Sequence, residues 1–132
     1  MELTLSALMG EKLEEIQKKQ LLQLLAQFEN LEKLKIDLSL NPIEQEGATN
    51  LCTGIKGLQN LKSLKLEFSE CFIVGSVNKL FQELQELKNL KEFEIDLRGN
   101  KLDEKEQIFV DQFKDLKELK KIDIPTTYRE LK

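Results

Sequence analysis

Apolar residues in this chain recur in sets that superimpose at a spacing of 29 or 30 residues. Positions 25, 28, 31, 34, 36 and 38 hold Leu, Phe, Leu, Leu, Ile and Leu; positions 55, 58, 61, 64, 66 and 68 hold Ile, Leu, Leu, Leu, Leu and Phe. Positions 84, 87, 90, 93, 95 and 97 repeat the pattern as Leu, Leu, Leu, Phe, Ile and Leu. A fourth set at 113, 116, 119, 122 and 124 reads Phe, Leu, Leu, Ile and Ile, and stops at Pro125. Constant spacing of this kind marks a chain of repeats. Each repeat must stack on its neighbours because it cannot bury its own apolar face alone.

Leu31 to Leu61, reading LEKLKIDLSLNPIEQEGATNLCTGIKGLQNL, shows what one unit contains. Leu34, Ile36 and Leu38 alternate with Lys35, Asp37 and Ser39, the period of a strand with one buried face. From Glu44 onward Ala48, Leu51, Ile55 and Leu58 fall three or four apart, the period of a helix with one buried stripe. Asn41-Pro42 between them is a turn signal, since the residue before proline is pushed out of the helical region. Strand, turn, helix and return predict strands paired in parallel, with each helix carrying the chain back in a right-handed crossover. Helices are wider than strands, so the stack is expected to curve with helices outside.

The chain reads as one α/β domain over 1–132. Residues 1–30 form an N-terminal capping unit, 31–124 the repeats, and 125–132 a C-terminal tail. In the first unit Leu3 and Leu5 alternate briefly, so its strand half is expected to be degenerate. A helix is predicted over Glu11 to Gln27 from the spacing of Leu13, Ile16, Leu21, Leu24 and Leu25. The alternative for that helix, an independent membrane or coiled-coil segment, fits less well because its polar face mixes acids with lysines. At the other end Pro125 has no N–H for a sheet ladder and is expected to close the sheet.

Charged residues make up 33% and apolar residues 40% of the 132, which suits a folded chain rather than a disordered one. There is no His, which removes the commonest metal ligand and general base. Neither a metal nor a cofactor is expected. Cys52 and Cys71 are too few for a disulfide framework and lack CxxC spacing. Both are expected to be reduced and at least partly buried, as in an intracellular chain. The first fifteen residues show no signal-peptide pattern, and no apolar run approaches membrane-spanning length. A net charge of −4 gives no support to phosphate-backbone binding.

The phrase LxLxLxxN at Leu34–Asn41, followed by Pro42–Leu51, resembles the ribonuclease-inhibitor-like type of leucine-rich repeat. The linking phrase LxNLxxL at Leu58–Leu64 and Leu87–Phe93 is similar to leucine-rich-repeat families of ciliates. The likeness covers about residues 20 to 124 and implies a solenoid, a right-handed βα superhelix with a parallel sheet on its concave face and helices on its convex face. The sequence departs from the pattern where Gly47 becomes Val77 and Glu106, and where Cys71 stands between Asn41 and Asn100. Each asparagine is expected to close a turn with its side-chain amide, and Cys71 to be a small, weakly polar substitute. A redox or metal role for either thiol has no companion residue.

Alternation assigns three columns to the face turned away from the core. They are Lys35, Lys65, Glu94 and Asp123; then Asp37, Glu67 and Asp96, ending at Pro125; then Ser39, Ser69, Arg98 and Thr127. Stacked carboxylates about 4.8 Å apart repel unless cations stand near, and Lys35, Lys65 and Arg98 flank them. Two readings stay open: a solvated, internally compensated face, or an acidic column that docks a basic segment of a protein partner. The expected function is a non-catalytic protein–protein interaction module, an adaptor or small scaffold subunit of an intracellular hetero-complex. It is placed in the cytoplasm, with a cytoskeletal or ciliary assembly as one candidate home, and with no nucleic acid or membrane partner. Two rival readings stand beside this one. Arg98, Asn100 and Lys101 stand where a leucine-rich-repeat regulator of a GTPase would act. Lys114, Lys117, Lys120 and Lys121 form a basic ridge for nucleic acid, but Asp115 and Glu118 interrupt it.

Overall fold

Short runs of alternating apolar and polar residues make strands when one face can be buried, and this chain places such runs side by side. The computed structural model describes residues 2–6, 23, 25–28, 30–75, 78–102 and 121–123. In order, the elements are β1 (Glu2–Ser6), β2 (Lys33–Asp37), α1 (Glu44–Ile55), β3 (Ser63–Glu67), β4 (Val74–Gly75), α2 (Asn78–Leu84), β5 (Glu92–Asp96), β6 (Lys101–Leu102) and β7 (Lys121–Asp123). This is a mixed α/β chain. Among the described residues, five strands form one parallel sheet in the order β1-β2-β3-β5-β7, and β4 pairs with β6 in a second, two-stranded parallel sheet. Spatial order follows chain order, so every link must return the chain to the starting end of the next strand.

The register explains the repeat spacing. Leu34 lies opposite Leu64 and Leu64 opposite Phe93; Ile36, Leu66 and Ile95 form the next row. A one-residue slip would turn every one of these side chains to the other face. All positions of the first three apolar sets are buried except Phe28, which packs part-buried against the core. Ala48, Leu51, Cys52 and Ile55 supply the buried stripe of α1, and Leu80, Phe81 and Leu84 that of α2. Phe81 meets Phe93 edge to face, with ring centroids 6.3 Å apart. Such pairing adds about 0.5–1.5 kcal/mol beyond simple burial.

The linking phrases hold the return from helix to strand. N–H groups of Lys62 and Ser63 both donate to the Glu32 carbonyl, at 2.8 and 3.0 Å. One unit on, those of Lys91 and Glu92 both donate to the Lys62 carbonyl, at 2.8 and 3.0 Å. Asn89 adds a side-chain bond to the Gln59 carbonyl at 2.8 Å. Helices α1 and α2 are tied by Glu83, which accepts from Lys56 Nζ at 2.7 Å and from the Thr53 hydroxyl at 3.0 Å.

Two features differ from expectation. The strand of the first unit is not degenerate in its backbone: β1 is five residues long and pairs with β2 along its whole length, Leu3 opposite Leu34 and Leu5 opposite Ile36. Parallel pairing is made by backbone groups, so two alternating leucines sufficed. The β4–β6 ladder was not foreseen either, because two-residue strands are too short to show a period. The helix expected over Glu11–Gln27 lies largely outside the described residues, as do Phe113, Leu116, Leu119, Ile124, the 125–132 tail and Lys114, Lys117 and Lys120 of the basic ridge. Among the described residues, no helix is long and apolar enough to cross a membrane.

Candidate functional site

Each of the three inner strands β2, β3 and β5 ends in the same turn, and that turn orients the last residues of the outward face. Asn100 closes one such turn with four bonds. Its Nδ2 donates to Phe68 and Leu97 carbonyls at 2.9 and 3.0 Å, and its Oδ1 accepts from the N–H groups of Cys71 and Ile73 at 3.0 and 2.9 Å. Asn41 likewise donates to Leu38 and Ser39 carbonyls at 3.1 and 3.2 Å. These amides satisfy buried backbone groups that would otherwise be orphaned.

Cys71 stands in the same column, and its thiol donates to the Leu38 carbonyl at 3.1 Å. Sulfur is a poor acceptor, so the preceding turn closes on itself instead. Asn41 N–H donates to the Leu38 carbonyl and Ile43 N–H to the Asn41 carbonyl, at 3.3 and 2.7 Å. Burial pushes the Cys71 thiol up to about 11 and raises that of Cys52 as well. Both cysteines are free and buried.

Just before these residues Leu40, Glu70 and Gly99 all adopt left-handed backbone, with φ of 65°, 51° and 80°. Only glycine holds that conformation without a steric penalty. Glu70 also leans across Gly99, where a Cβ would come within 2.4 Å of the Glu70 Cγ.

The face turned away from the core carries the expected columns. Lys35, Lys65 and Glu94 are in register, and the backbone of Asp123 continues the row on β7. Asp37, Glu67 and Asp96 form the second row. Ser39, Ser69 and Arg98 follow, linked where Leu40 N–H donates to the Ser69 carbonyl and Glu70 N–H to the Arg98 carbonyl, each at 2.9 Å. Thr127 and Pro125 lie outside the described residues. A fourth row on the same face, Lys33, Ser63 and Glu92, went unremarked in the sequence although the same alternation contains it.

Much of this charge is compensated within the face. Lys65 Nζ lies 3.4 Å from Glu67 and 3.6 Å from Glu94, and Glu67 raises the Lys65 ammonium above its ordinary value. Arg98 grips Asp96 with two parallel bonds, Nε to Oδ1 at 3.0 Å and Nη2 to Oδ2 at 2.8 Å. The Arg98 guanidinium holds the Asp96 carboxyl below its usual range against the opposing effect of burial. Two carboxylates also have a local structural task. Asp37 Oδ1 accepts from Ser39 N–H at 3.0 Å, and Asp96 Oδ1 from Arg98 N–H at 3.1 Å. At Asp37 burial works to raise the carboxyl, but the Ser39 N–H, the neighbouring Glu67 and Lys35 together bring it below its ordinary value.

The charge is unevenly spread across the strands. β2 presents Lys33 and Lys35 against Asp37, and β3 presents Lys65 against Glu67. On β5 and its turn, Glu92, Glu94 and Asp96 stand against Arg98. The face therefore runs from basic at β2 to acidic at β5. Among the described residues, no group of three or more Cys, Asp and Glu could hold a metal ion. Elsewhere the outward residues at the start of β4 are apolar, with Phe72 just before it 64% exposed and Val74, its first residue, 57% exposed. No protein-family model, curated protein or solved structure matches the chain.

Proposed function

We propose that the chain is a leucine-rich-repeat solenoid of the ribonuclease-inhibitor-like type that works as a non-catalytic protein-interaction module. It serves as an adaptor or small scaffold subunit of a larger intracellular assembly. Its partner is a protein that meets the charged strand face or an end of the stack. The observation that carries the reading is the register, which brings Asp37, Glu67 and Asp96 side by side on an accessible face, next to the charged row Lys35, Lys65 and Glu94. A regular, solvent-facing array of this sort has the form of a contact surface. The solenoid part is supported by strands that follow chain order and by the column Asn41, Cys71 and Asn100.

The rival reading, regulation of a GTPase through Arg98, Asn100 and Lys101, gains nothing from the geometry. Asn100 is buried with its amide engaged at both ends, and Arg98 is folded onto Asp96.

Affinity capture from cells tests the proposal, comparing wild type with the combined variant D37N/E67Q/D96N. Asparagine keeps the Oδ1 acceptor that Ser39 and Arg98 N–H groups use, so the turns survive while the charge is removed. The expected result is loss of a stoichiometric partner with the melting temperature nearly unchanged. Undiminished capture would reject the strand face as the interface.

A further inference from the structure

One part of the strand face is shaped as well as charged. Ser63 is a short side chain between two long ones in its row, Lys33 on one strand and Glu92 on the other. The result is an open hollow of about 170 Å³ over Ser63, walled by Lys33 and Lys35 on one side and by Glu92 and Glu94 on the other, with Lys65 beside Ser63 on the middle strand. Among the described residues, no ion pair engages Lys33, Lys35 or Glu92, whereas Lys65 and Glu94 face each other across 3.6 Å. The hollow thus has opposite charge at its two ends and a compensated middle.

Its length sets a spacing. Lys33 and Glu92 stand two strands apart, about 10 Å across the sheet. An extended peptide covers that distance in about three residues. We propose that the hollow takes a mixed-charge segment of a protein partner, with a carboxylate against Lys33 and Lys35 and a cation against Glu92 and Glu94, three residues apart. A purely basic segment would place a cation against the two lysines, and like charges at that range are repulsive. This inference rests on the strand face being a contact surface and specifies what that surface selects.

Three end-blocked peptides test it. Each is a glycine hexamer with charged residues at positions two and five, as Glu and Lys, Lys and Lys, or Glu and Glu. Binding is followed at low ionic strength by NMR, reading the Ser63 amide. The mixed peptide is expected to bind about fivefold or more tighter than either like-charged one, as two exposed ion pairs allow. In K33E/K35E the preference moves to the Lys and Lys peptide. The full exchange K33E/K35E/E92K/E94K restores preference for the mixed peptide, which a merely nonspecific charge effect would not do. Equal or tighter binding of the Lys and Lys peptide by wild type overturns the inference, and so does the absence of binding by all three. If the Lys and Lys peptide wins and D37N/E67Q/D96N removes it, the acidic column remains the contact surface and only the hollow is rejected. If no peptide binds and that variant still captures its partner, the face itself is rejected.

Discussion

Leu34, Leu64 and Phe93 stack in register on one side of the sheet, and Lys35, Lys65 and Glu94 stack in register on the other. The two sides share one backbone and one spacing, yet they repeat differently. On the buried side a column keeps its chemistry from strand to strand, because every member must fill the same space between sheet and helix. On the outward side the column Lys35, Lys65 and Glu94 keeps its geometry while its charge changes from lysine to glutamate, and only the neighbouring column Asp37, Glu67 and Asp96 stays acidic throughout. The buried side specifies the fold; the outward side records what varies once the fold is secure.

The largest expected effect lies on the buried side. Leu66 is fully buried in the middle strand, and Leu66→Ala should cost about 2–5 kcal/mol in urea unfolding. Asn100→Ala should approach the same size, at about 2–4 kcal/mol, because it orphans the N–H groups of Cys71 and Ile73 and the carbonyls of Phe68 and Leu97. Cys71→Asn sharpens the comparison within the turn column. It supplies the acceptor that sulfur lacks, so a gain of up to about 1 kcal/mol is expected in the same measurement. A loss there would mean that the turn at Asn41–Ile43 is closed by its own geometry rather than by the weakness of its neighbour.

The smallest effect belongs to the charged face and shows in acid. Asp96 is held below its ordinary value of 3.8 by Arg98. Its contribution is therefore complete above pH 3.8 and is lost as the pH falls through the lower folded value. Thermal melts across that range should flatten slightly in D96N, while the curve at neutral pH stays close to wild type, because the pair is exposed on the Arg98 side.

The sequence disclosed the buried side almost completely, since Leu, Ile and Phe at fixed spacing leave little choice of face. It disclosed less where backbone, not side chains, decides the structure. Leu3 and Leu5 pointed to a degenerate strand, yet β1 pairs along five residues. Val74 and Lys101 carried no period at all, yet they pair in the short β4–β6 ladder. The turn task of Asp37 and Asp96 was hidden because an aspartate bonded to an N–H two residues on looks in sequence like any surface acid. The register aligns Lys35, Lys65 and Glu94, and Asp37, Glu67 and Asp96, as the alternation implies, while the Lys33, Ser63 and Glu92 row is harder to see in the sequence. Its middle member is an uncharged serine, and only the neighbouring strands show that it floors a hollow.

Everything said of the strand face depends on the pairing that turns it outward. Cross-strand NOEs between backbone protons of β2, β3 and β5 measure that pairing directly. The expected pattern is parallel, linking Ile36 with Leu66 and Leu66 with Ile95. A shift that sets Ile36 beside Lys65 or Glu67 would turn charged rows inward, and contacts of antiparallel type would break the stacked rows; either contradicts the account.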